Sequence, residues 1–185
     1  MKLLTLRHQT QITVRRIHPE DVDLVFEMHK RLLPMSIYNR YFRGYVPRMG
    51  AIRDMCRINE ADGGAFVATI STPGERIIGM ACYIIDADDP LRETAEPALL
   101  VEDNFQMQGV GSLLARYMAD QAQMRGINTF KALISASNQG VFRILQRSGL
   151  DFTSHYAYGT REICIYLNQS STFSEAADER KEKAL

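Results

Sequence analysis

The sequence predicts a single mixed α/β (α+β) domain, on the evidence of its length, its composition and the order of its periodic segments. The chain has 185 residues, and one domain usually takes about 100–200. Hydrophobic residues make up 45% and charged residues 24%, which excludes a disordered protein and a membrane bundle. Early β-type segments are neighbours in the sequence and later ones alternate with helical segments, which is typical of a mixed sheet.

The segments follow in order along the chain. Alternating or apolar β-type runs predict strands at 12–17, 65–70, 77–85, 95–101, 129–134, 152–158 and 162–167. A helix starts near Pro19, two short helices fill 34–58 with a break near 44–50, and the most regular helix covers 109–124. A last helix at 139–147 is capped by Asn138. We expect one domain over residues 1–168 and a polar, charged tail over 169–185.

The net charge and the lengths of the apolar runs limit the kinds of partner that the chain is expected to bind. Twenty-two basic and 22 acidic residues give a formal net charge of zero, so no nucleic-acid or membrane partner is expected. The longest apolar run, 77–85, is too short to cross a bilayer. The first ten residues lack the pattern of a secretory signal, so we expect a cytoplasmic protein.

The single histidine on an apolar helix stripe and the three cysteines are not expected to do chemistry. His29 lies on the stripe of the first helix and is interpreted as a packed histidine. Cys56, Cys82 and Cys164 have no metal-ligand spacing, and their odd number argues against a disulfide framework. Cys82 and Cys164 stand in apolar runs, which favours buried, inert thiols. No metal site is predicted.

The segment that indicates chemistry is EPALLVEDNFQMQGVG, residues 96–111. A strand is followed by a polar turn, and Gly109 and Gly111 then open an amphipathic helix. Unpaired N–H groups at a helix start attract anions, and glycine allows a phosphate to approach the backbone closely. Neither the dinucleotide motif nor the P-loop motif is present. From these residues alone, a tight helix entry packed on a sheet explains the glycines equally well.

Three motifs resemble those of the GCN5-related N-acetyltransferase (GNAT) superfamily. Residues 106–111 fit its Q/R-x-x-G-x-G/A signature, and residues 138–150 resemble its second signature, an asparagine that opens a helix ending in basic-x-Gly-Phe/Leu. Residues 36–42, SIYNRYF, resemble the S-x-Y-x-R-[FY]-F segment of bacterial Pat-type protein lysine acetyltransferases. In that group a glutamate begins the strand before the phosphate turn, and Glu96 holds the matching place. The resemblance extends over roughly residues 12–167, nearly the whole chain.

The resemblance implies a fold and a co-substrate. The GNAT fold is a central, twisted, mostly antiparallel sheet of about six to seven strands with helices on both faces, and two strands splay apart at the acyl-CoA site. The co-substrate would be acetyl-CoA or another acyl-CoA. The resemblance places it on Leu99, Leu100, Val101, Gln106, Met107, Gln108, Gly109, Val110, Gly111, Ser112, Asn138 and Arg143.

The resemblance also implies a direct transfer of the acetyl group, with Glu96 as the general base. From the residues alone, a surface glutamate is the better interpretation of Glu96, and the two interpretations weigh equally only when the family position is counted. Glu102 and Asp103 are expected to cap a turn or to be solvated, because carboxylates repel a diphosphate. Many relatives carry a tyrosine acid where this chain has Leu145, so Tyr156, Tyr158 or water would have to protonate the departing thiolate.

The acceptor is the least determined feature. The acidic residues between Asp86 and Glu96 would attract a cationic amine, or they form a solvated hairpin turn. Among the arginines of 31–57, Arg40 is singled out because it lies in the Pat-like segment. We expect protein lysine acetylation, with an acyl-CoA synthetase as one candidate acceptor. The alternatives are acetylation of a small-molecule amine and a non-catalytic acyl-CoA sensor. A monomer and a homodimer both stay open.

Overall fold

The computed structural model describes residues 2–5 (backbone only), 10–42, 44, 47–71 and 74–167. Its strands are β1 (Lys2–Thr5), β2 (Gln11–Arg16), β3 (Gly63–Ile70), β4 (Arg76–Ile85), β5 (Thr94–Val101), β6 (Thr129–Ser135), β7 (Asp151–Ala157) and β8 (Thr160–Tyr166). Its α-helices are α1 (Val22–Lys30), α2 (Pro34–Tyr41), α3 (Met49–Cys56), α4 (Val110–Gln123) and α5 (Gln139–Ser148). The tail that was predicted over 169–185 lies outside the described residues.

The strands form one sheet in the order β1-β2-β3-β4-β5-β6-β8-β7. Every neighbouring pair is antiparallel except β5 and β6. The seven strands and five helices predicted from the sequence are confirmed. The additional strand β1 was not predicted, because four residues carry too little periodicity to be recognised. The mixed α/β class and the mostly antiparallel sheet are therefore confirmed.

The sheet opens between its two parallel strands. β5 and β6 pair only where Thr94 and Ala95 face Thr129 and Phe130, and no further pair follows. Pro97 is the next β5 residue whose backbone is directed toward β6, and it has no N–H to donate. The two strands consequently diverge, as predicted, and leave a gap that begins in the middle of the sheet.

Helices cover both faces of the sheet. On one face α4 buries Val110, Leu114 and Met118 against the sheet, which confirms the predicted apolar stripe. Gly79 on β4 makes this close packing possible, because a Cβ there would lie 2.9 Å from Leu114 Cδ1. On the other face α1 and α3 pack through a second cluster that includes Met28 and Ile52.

An ion pair fixes the start of α1. Both carboxylate oxygens of Asp21 accept hydrogen bonds from the Arg15 guanidinium, at 2.7 and 2.8 Å, and one also accepts from the His18 amide at 2.7 Å. Burial alone would raise the pKa of the Asp21 carboxyl. The bonds from Arg15 and His18, with the charge of Arg15, outweigh burial and hold that pKa below its ordinary value.

His29 is fully buried, as predicted, and ties α1 to α2. Its Nδ1 lies 2.7 Å from the Val25 carbonyl oxygen, and its Nε2 lies 2.6 Å from the Tyr41 hydroxyl. Because a carbonyl only accepts, Nδ1 carries the proton and Nε2 accepts from Tyr41. Burial, helped by the charge of Arg40, lowers the pKa of His29 and keeps the ring neutral.

Candidate active site

The turn between β5 and α4 presents unpaired main-chain donors. Gly109 adopts φ 94°, a left-handed conformation that favours glycine, and it is the N-terminal cap residue of α4. The first helical hydrogen bond runs from the Leu113 N–H to the Gly109 carbonyl at 2.9 Å. The N–H groups of Val110, Gly111 and Ser112 therefore have no partner within the helix. Their alignment with the helix dipole makes this turn a site for an anion.

The gap between β5 and β6 exposes further backbone groups beside this turn. The Glu102 amide donates to Ile78 and the Thr94 carbonyl accepts from Asp86, so even-numbered residues of this stretch direct their backbone groups toward β4. Because these directions alternate along a strand, the N–H and C=O of Leu99 point into the gap. The backbone groups of Leu100 point toward β4 instead. Of the two leucines expected to offer backbone contacts, only Leu99 directs them into the gap.

A cavity of about 420 Å³ joins the turn and the gap. Of the residues predicted to bind the coenzyme, all except Gln108 and Val110 line it. The Gln108 side chain is exposed and donates to the Asn104 carbonyl at 2.7 Å, whereas the Val110 side chain is buried in the core. These two residues offer the site only their backbone groups. Among the residues that the structure describes, three arginines and no carboxylate line the cavity, which suits a polyanionic ligand.

Helix α5 forms one wall of the cavity. The Asn138 side chain accepts from the Val141 N–H at 3.4 Å, so it caps α5 as predicted, and it also lines the cavity. Ile144 packs against the turn between β5 and α4. A Cβ added to Gly111 in that turn would lie only 3.1 Å from Ile144 Cδ1. Arg143 and Arg147, one turn apart, line the same wall.

Helix α2 forms the opposite wall and is bonded to the turn through Asp103. Its carboxylate accepts from the Leu33 N–H at 2.8 Å and from the Ser36 hydroxyl at 2.6 Å. Gln106 donates to the Val101 carbonyl at 3.0 Å and to Ser36 Oγ at 3.1 Å. The expectation that Asp103 caps a turn is confirmed, although the N-terminus that it caps belongs to α2.

Arg40 and Asn39 bring polar groups from α2 into the cavity. The Arg40 guanidinium lies 4.8 Å from the centre of the Tyr41 ring and 3.9 Å from the buried Cys82 Sγ. Asn39 Oδ1 is buried and has no hydrogen-bond partner among the described residues. Burial raises the pKa of the Cys82 thiol, so this cysteine is not a nucleophile.

Glu96 does not line the cavity. It is exposed on β5, on the face that carries Ala98 and Leu100, and has no hydrogen-bond or ion-pair partner among the described residues. Ala98, two residues after Glu96 on the same face of β5, pairs with Cys82 on β4, and the Cys82 Sγ lies 3.9 Å from the Arg40 guanidinium. Three residues of strand, about 10 Å, separate Glu96 from Leu99.

The expectation that Glu102 is solvated or caps a turn is wrong. Glu102 is 1% exposed. Its carboxylate forms an ion pair with Arg31 at 3.0 Å and a second ion pair with Arg76. Arg31 donates in addition to the Ile77 carbonyl at 2.9 Å. This triad, in which the carboxylate is buried and both arginines are partly exposed, fixes the end of β5 directly before the turn that leads to α4. Removing a charged carboxylate from water costs free energy, and the ion pairs with the two arginines offset that cost.

The two tyrosines that were predicted as alternative acids for the departing thiolate lie away from the cavity, and water stays as the third predicted alternative. Tyr156 and Tyr158 are exposed and do not line the cavity. Leu145 is 5% exposed and belongs to the core. The thiolate consequently has no tyrosine donor among the residues lining the cavity.

The acidic residues of the β4–β5 connection mostly have structural partners. Asp89 accepts from the amides of Leu91, Glu93 and Thr94, and Glu93 accepts from the Asn128 amide. These contacts favour the structural interpretation of that stretch. Within the described part of the chain, no cluster of residues could hold a metal ion, and no helix is long and apolar enough to cross a membrane.

Comparison with known proteins identifies this arrangement. The model of the acetyltransferase (GNAT) family matches residues 32–150. The chain belongs to the GNAT acetyltransferase family. Its members use acetyl-CoA as the co-substrate of N-acetyl transfer, so the chain is an N-acetyltransferase by family.

Solved structures show the same fold. The GNAT domain of S. lividans PAT is 24% identical with a TM-score of 0.79, and the match covers 89% of this chain and 96% of that one. The structure of yncA from Salmonella typhimurium with its cofactor acetyl-CoA is 15% identical with a TM-score of 0.67, covering 89% and 98%. A cAMP-binding acyltransferase from Mycobacterium smegmatis is 19% identical with a TM-score of 0.61, and the match covers 97% of this chain but 51% of that one.

Several cavity residues were not predicted as site residues from the sequence: Ser36, Asn39, Arg40, Ser137, Gln139, Gly140, Val141, Ile144 and Arg147. Three of them, Ser36, Asn39 and Arg40, stand in the Pat-like segment, and Ser36 and Arg40 hold positions that its motif specifies, so a signal for these two existed. Arg147 follows Arg143 by four residues, and helical periodicity would place both on one face. The others are recognisable only from the packing of α2 and α5.

Proposed function

We propose that the chain transfers the acetyl group of acetyl-CoA directly to the side-chain amine of a protein lysine. The observation that carries this proposal is the junction of the open β5–β6 gap with the unpaired N–H groups at the start of α4. A slot with amide donors at one end and an anion site at the other suits a pantetheine arm followed by a diphosphate.

In this proposal the main-chain amides from Gln108 to Ser112 bind the diphosphate of the coenzyme. Gly109 provides the left-handed turn that directs these amides outward, and Gln106 fixes the preceding backbone through Val101. The pantetheine arm lies in the gap beside Leu99. The lining of three arginines and no carboxylate supports this placement, because coenzyme A carries phosphates at this end.

The Leu99 N–H is the proposed donor to the thioester carbonyl. Negative charge grows on that oxygen as the amine attacks, and a fixed amide donor stabilises it without reorganisation. The new C–N bond forms while the C–S bond breaks, and the electron pair leaves with sulfur. Holding the amine in line with the thioester supplies much of the rate, because two bound reactants react as one.

Glu96 is the proposed general base, acting through water. An ammonium ion has no lone pair, so the lysine must lose a proton before it attacks. Glu96 is exposed and has no partner among the described residues, so its oxygens are free to accept that proton. The departing thiolate takes a proton from water or leaves as the anion, which a thiol pKa of about 8.5 permits.

The open acceptor side supports a lysine on a protein surface. Helix α2 contacts β5 and presents the exposed rings of Tyr38 and Phe42, which lie edge-to-face at 6.3 Å. Exposed apolar side chains on α2 and an unpaired carboxylate on β5, the strand that α2 contacts, suit a lysine, whose long aliphatic stem carries a cationic end. The Pat-like segment, residues 36–42, supports the same class of acceptor.

The role of Glu96 as the base is tested with the substitution Glu96→Gln. The matched control is Glu162→Gln, which removes another exposed glutamate, on β8 and away from the gap. Glu96→Gln should lower turnover on a lysine peptide below pH 8 by about 100-fold, since general bases contribute about 10²–10⁴. Its dissociation constant for acetyl-CoA and the turnover of the control should stay at the wild-type values. Unchanged turnover of Glu96→Gln would exclude Glu96 as the base.

The acceptor class is tested with labelled acetyl-CoA. One reaction contains dephosphorylated, desalted cell-extract proteins, and a second contains a pool of polyamines, amino acids and aminoglycosides. Label in protein lysines, and much less in small amines, is the expected result. Label confined to the small amines would replace the proposed acceptor. Coenzyme binding without label in either reaction would favour a non-catalytic acyl-CoA sensor.

A further inference from the structure

Arg40 brings a positive charge to the middle of the sheet. Among the described residues that line the cavity, it is the only arginine that comes from α2. Its guanidinium lies 3.9 Å from the Sγ of Cys82, and Cys82 pairs with Ala98 on β5. Ala98 comes three residues, about 10 Å of strand, before Val101, where β5 ends. Arg40 is therefore at the level of Leu99, well before the turn that leads to α4.

The surroundings of Arg40 hold its side chain in place but do not neutralise its charge. The guanidinium lies 4.8 Å from the centre of the Tyr41 ring, and the Tyr41 hydroxyl donates to His29, whose ring is neutral. Arg40 takes part in none of the ion pairs found within the described residues. A partly buried cation that has lost part of its water shell gains free energy when an anion binds to it.

Glu96 supplies the opposite charge on the same face of the sheet. It precedes Ala98 by two residues, about 7 Å of strand, and its side chain is exposed. Glu96 and Arg40 do not pair with each other, and neither has a charged partner among the described residues. A lysine ammonium that approaches Leu99 is therefore attracted by Glu96 and repelled by Arg40. An acceptor that also carries a carboxylate complements both charges.

We infer that Arg40 binds a carboxylate beside the acceptor lysine, so that the enzyme selects lysines that are flanked by aspartate or glutamate. The lysine ammonium lies toward Glu96, and the neighbouring carboxylate lies toward Arg40. A planar guanidinium binds the two oxygens of a carboxylate together. A lysine with neutral neighbours leaves Arg40 without a counter-ion, and one with basic neighbours adds repulsion. This inference rests on the proposed function and narrows its class of acceptor.

The experiment measures kcat/KM for short lysine peptides with blocked termini, using acetyl-CoA as the donor. The central lysine is flanked on both sides by glutamate, by glutamine or by arginine. The wild type should prefer the glutamate peptide to the glutamine peptide about tenfold, a factor that allows for the partial exposure of Arg40, and should use the arginine peptide least. At higher NaCl the preference should shrink, because salt screens the pair.

Four variants assign the preference to one side chain. Arg40→Gln should use the glutamate and glutamine peptides equally, Arg40→Glu should prefer the arginine peptide, and Arg40→Lys should keep part of the wild-type preference because it keeps the cation. Arg53→Gln is the matched control, since it removes the same charge from an exposed position on α3 that does not line the cavity, and it should keep the wild-type order. Each readout is a ratio between peptides for one protein, so a general loss of activity leaves it unchanged.

The outcomes separate this inference from the proposed function. Equal use of the three peptides by the wild type, or a preference that survives in Arg40→Gln, would overturn the role of Arg40 and leave the lysine acceptor intact. Failure to acetylate the peptides and the lysines of cell-extract proteins would overturn the proposed acceptor, and this inference with it. A last reaction gives the glutamine peptide succinyl-CoA in place of acetyl-CoA. Faster transfer of the succinyl group that is lost in Arg40→Gln would assign Arg40 to a carboxylate of the acyl donor and overturn its role toward the acceptor.

Discussion

Replacing Gly109 by alanine should weaken the binding of acetyl-CoA by at least tenfold. The backbone of Gly109 has φ 94°, and an L-residue with a Cβ pays about 1–2 kcal/mol to remain in a left-handed conformation. Relaxing that strain turns the amides of Val110 and Gly111 away from the diphosphate. A hydrogen bond to a charged group contributes about 1.5–3 kcal/mol, so the loss of one lowers affinity about 10- to 150-fold.

Gly126→Ala is the matched control for this prediction. Gly126 follows the other end of α4 with φ 83°, and a Cβ there meets nothing within 4 Å. Both substitutions should therefore lower the free energy of unfolding by a similar amount, whereas only Gly109→Ala should change the dissociation constant. Urea unfolding and calorimetric titration measure the two quantities. Equal affinities for acetyl-CoA in the two variants would refute the role assigned to the phosphate turn.

Two further substitutions test how stability depends on pH and how helix α2 is attached to the cavity. Asp21→Asn should lower the free energy of unfolding at pH 7 by about 1–3 kcal/mol, because it breaks a partly buried pair with Arg15. The pKa of Asp21 is lower in the folded state than in the unfolded state. The contribution of its carboxylate to the free energy of unfolding is therefore complete above about pH 4 and is lost as the pH falls through the folded-state pKa. Urea unfolding should therefore show a smaller difference from wild type at pH 3, and an equal difference at both pH values would contradict this account. Asp103→Ala removes the contacts to Leu33 and Ser36, so it should lower stability by about 1–2 kcal/mol and raise the KM for acetyl-CoA several-fold. An unchanged KM would show that α2 and the phosphate turn are independent.

The sequence predicted the elements whose signals are local. The helix after Gly109 combines a glycine turn with a regular apolar stripe, and the structure has it as α4. The cap at Asn138 and the buried interpretation of His29 also depend on nearby residues, and both are confirmed. Such features can be predicted because the residues that determine them lie within a few positions of one another in the chain.

Contacts between distant segments were not predictable in the same way. Glu102 looked like a solvated turn residue, but Arg31 and Arg76, which lie 71 and 26 positions away, allow its burial. Asp103 caps a helix 67–70 positions earlier in the chain. The aromatic alternatives for a general acid failed for a related reason, because only the fold shows that Tyr156 and Tyr158 lie away from the cavity.

The central claim is that main-chain amides at the start of α4 bind the diphosphate of acetyl-CoA. It is tested most directly by recording the backbone amide resonances of the ¹⁵N-labelled protein during a titration with acetyl-CoA. We predict that the amides of Gly109, Val110, Gly111 and Ser112 shift more than those at the far end of α4 and saturate at one ligand per chain. Saturation with acetyl-CoA that leaves these four amides unshifted would contradict the account.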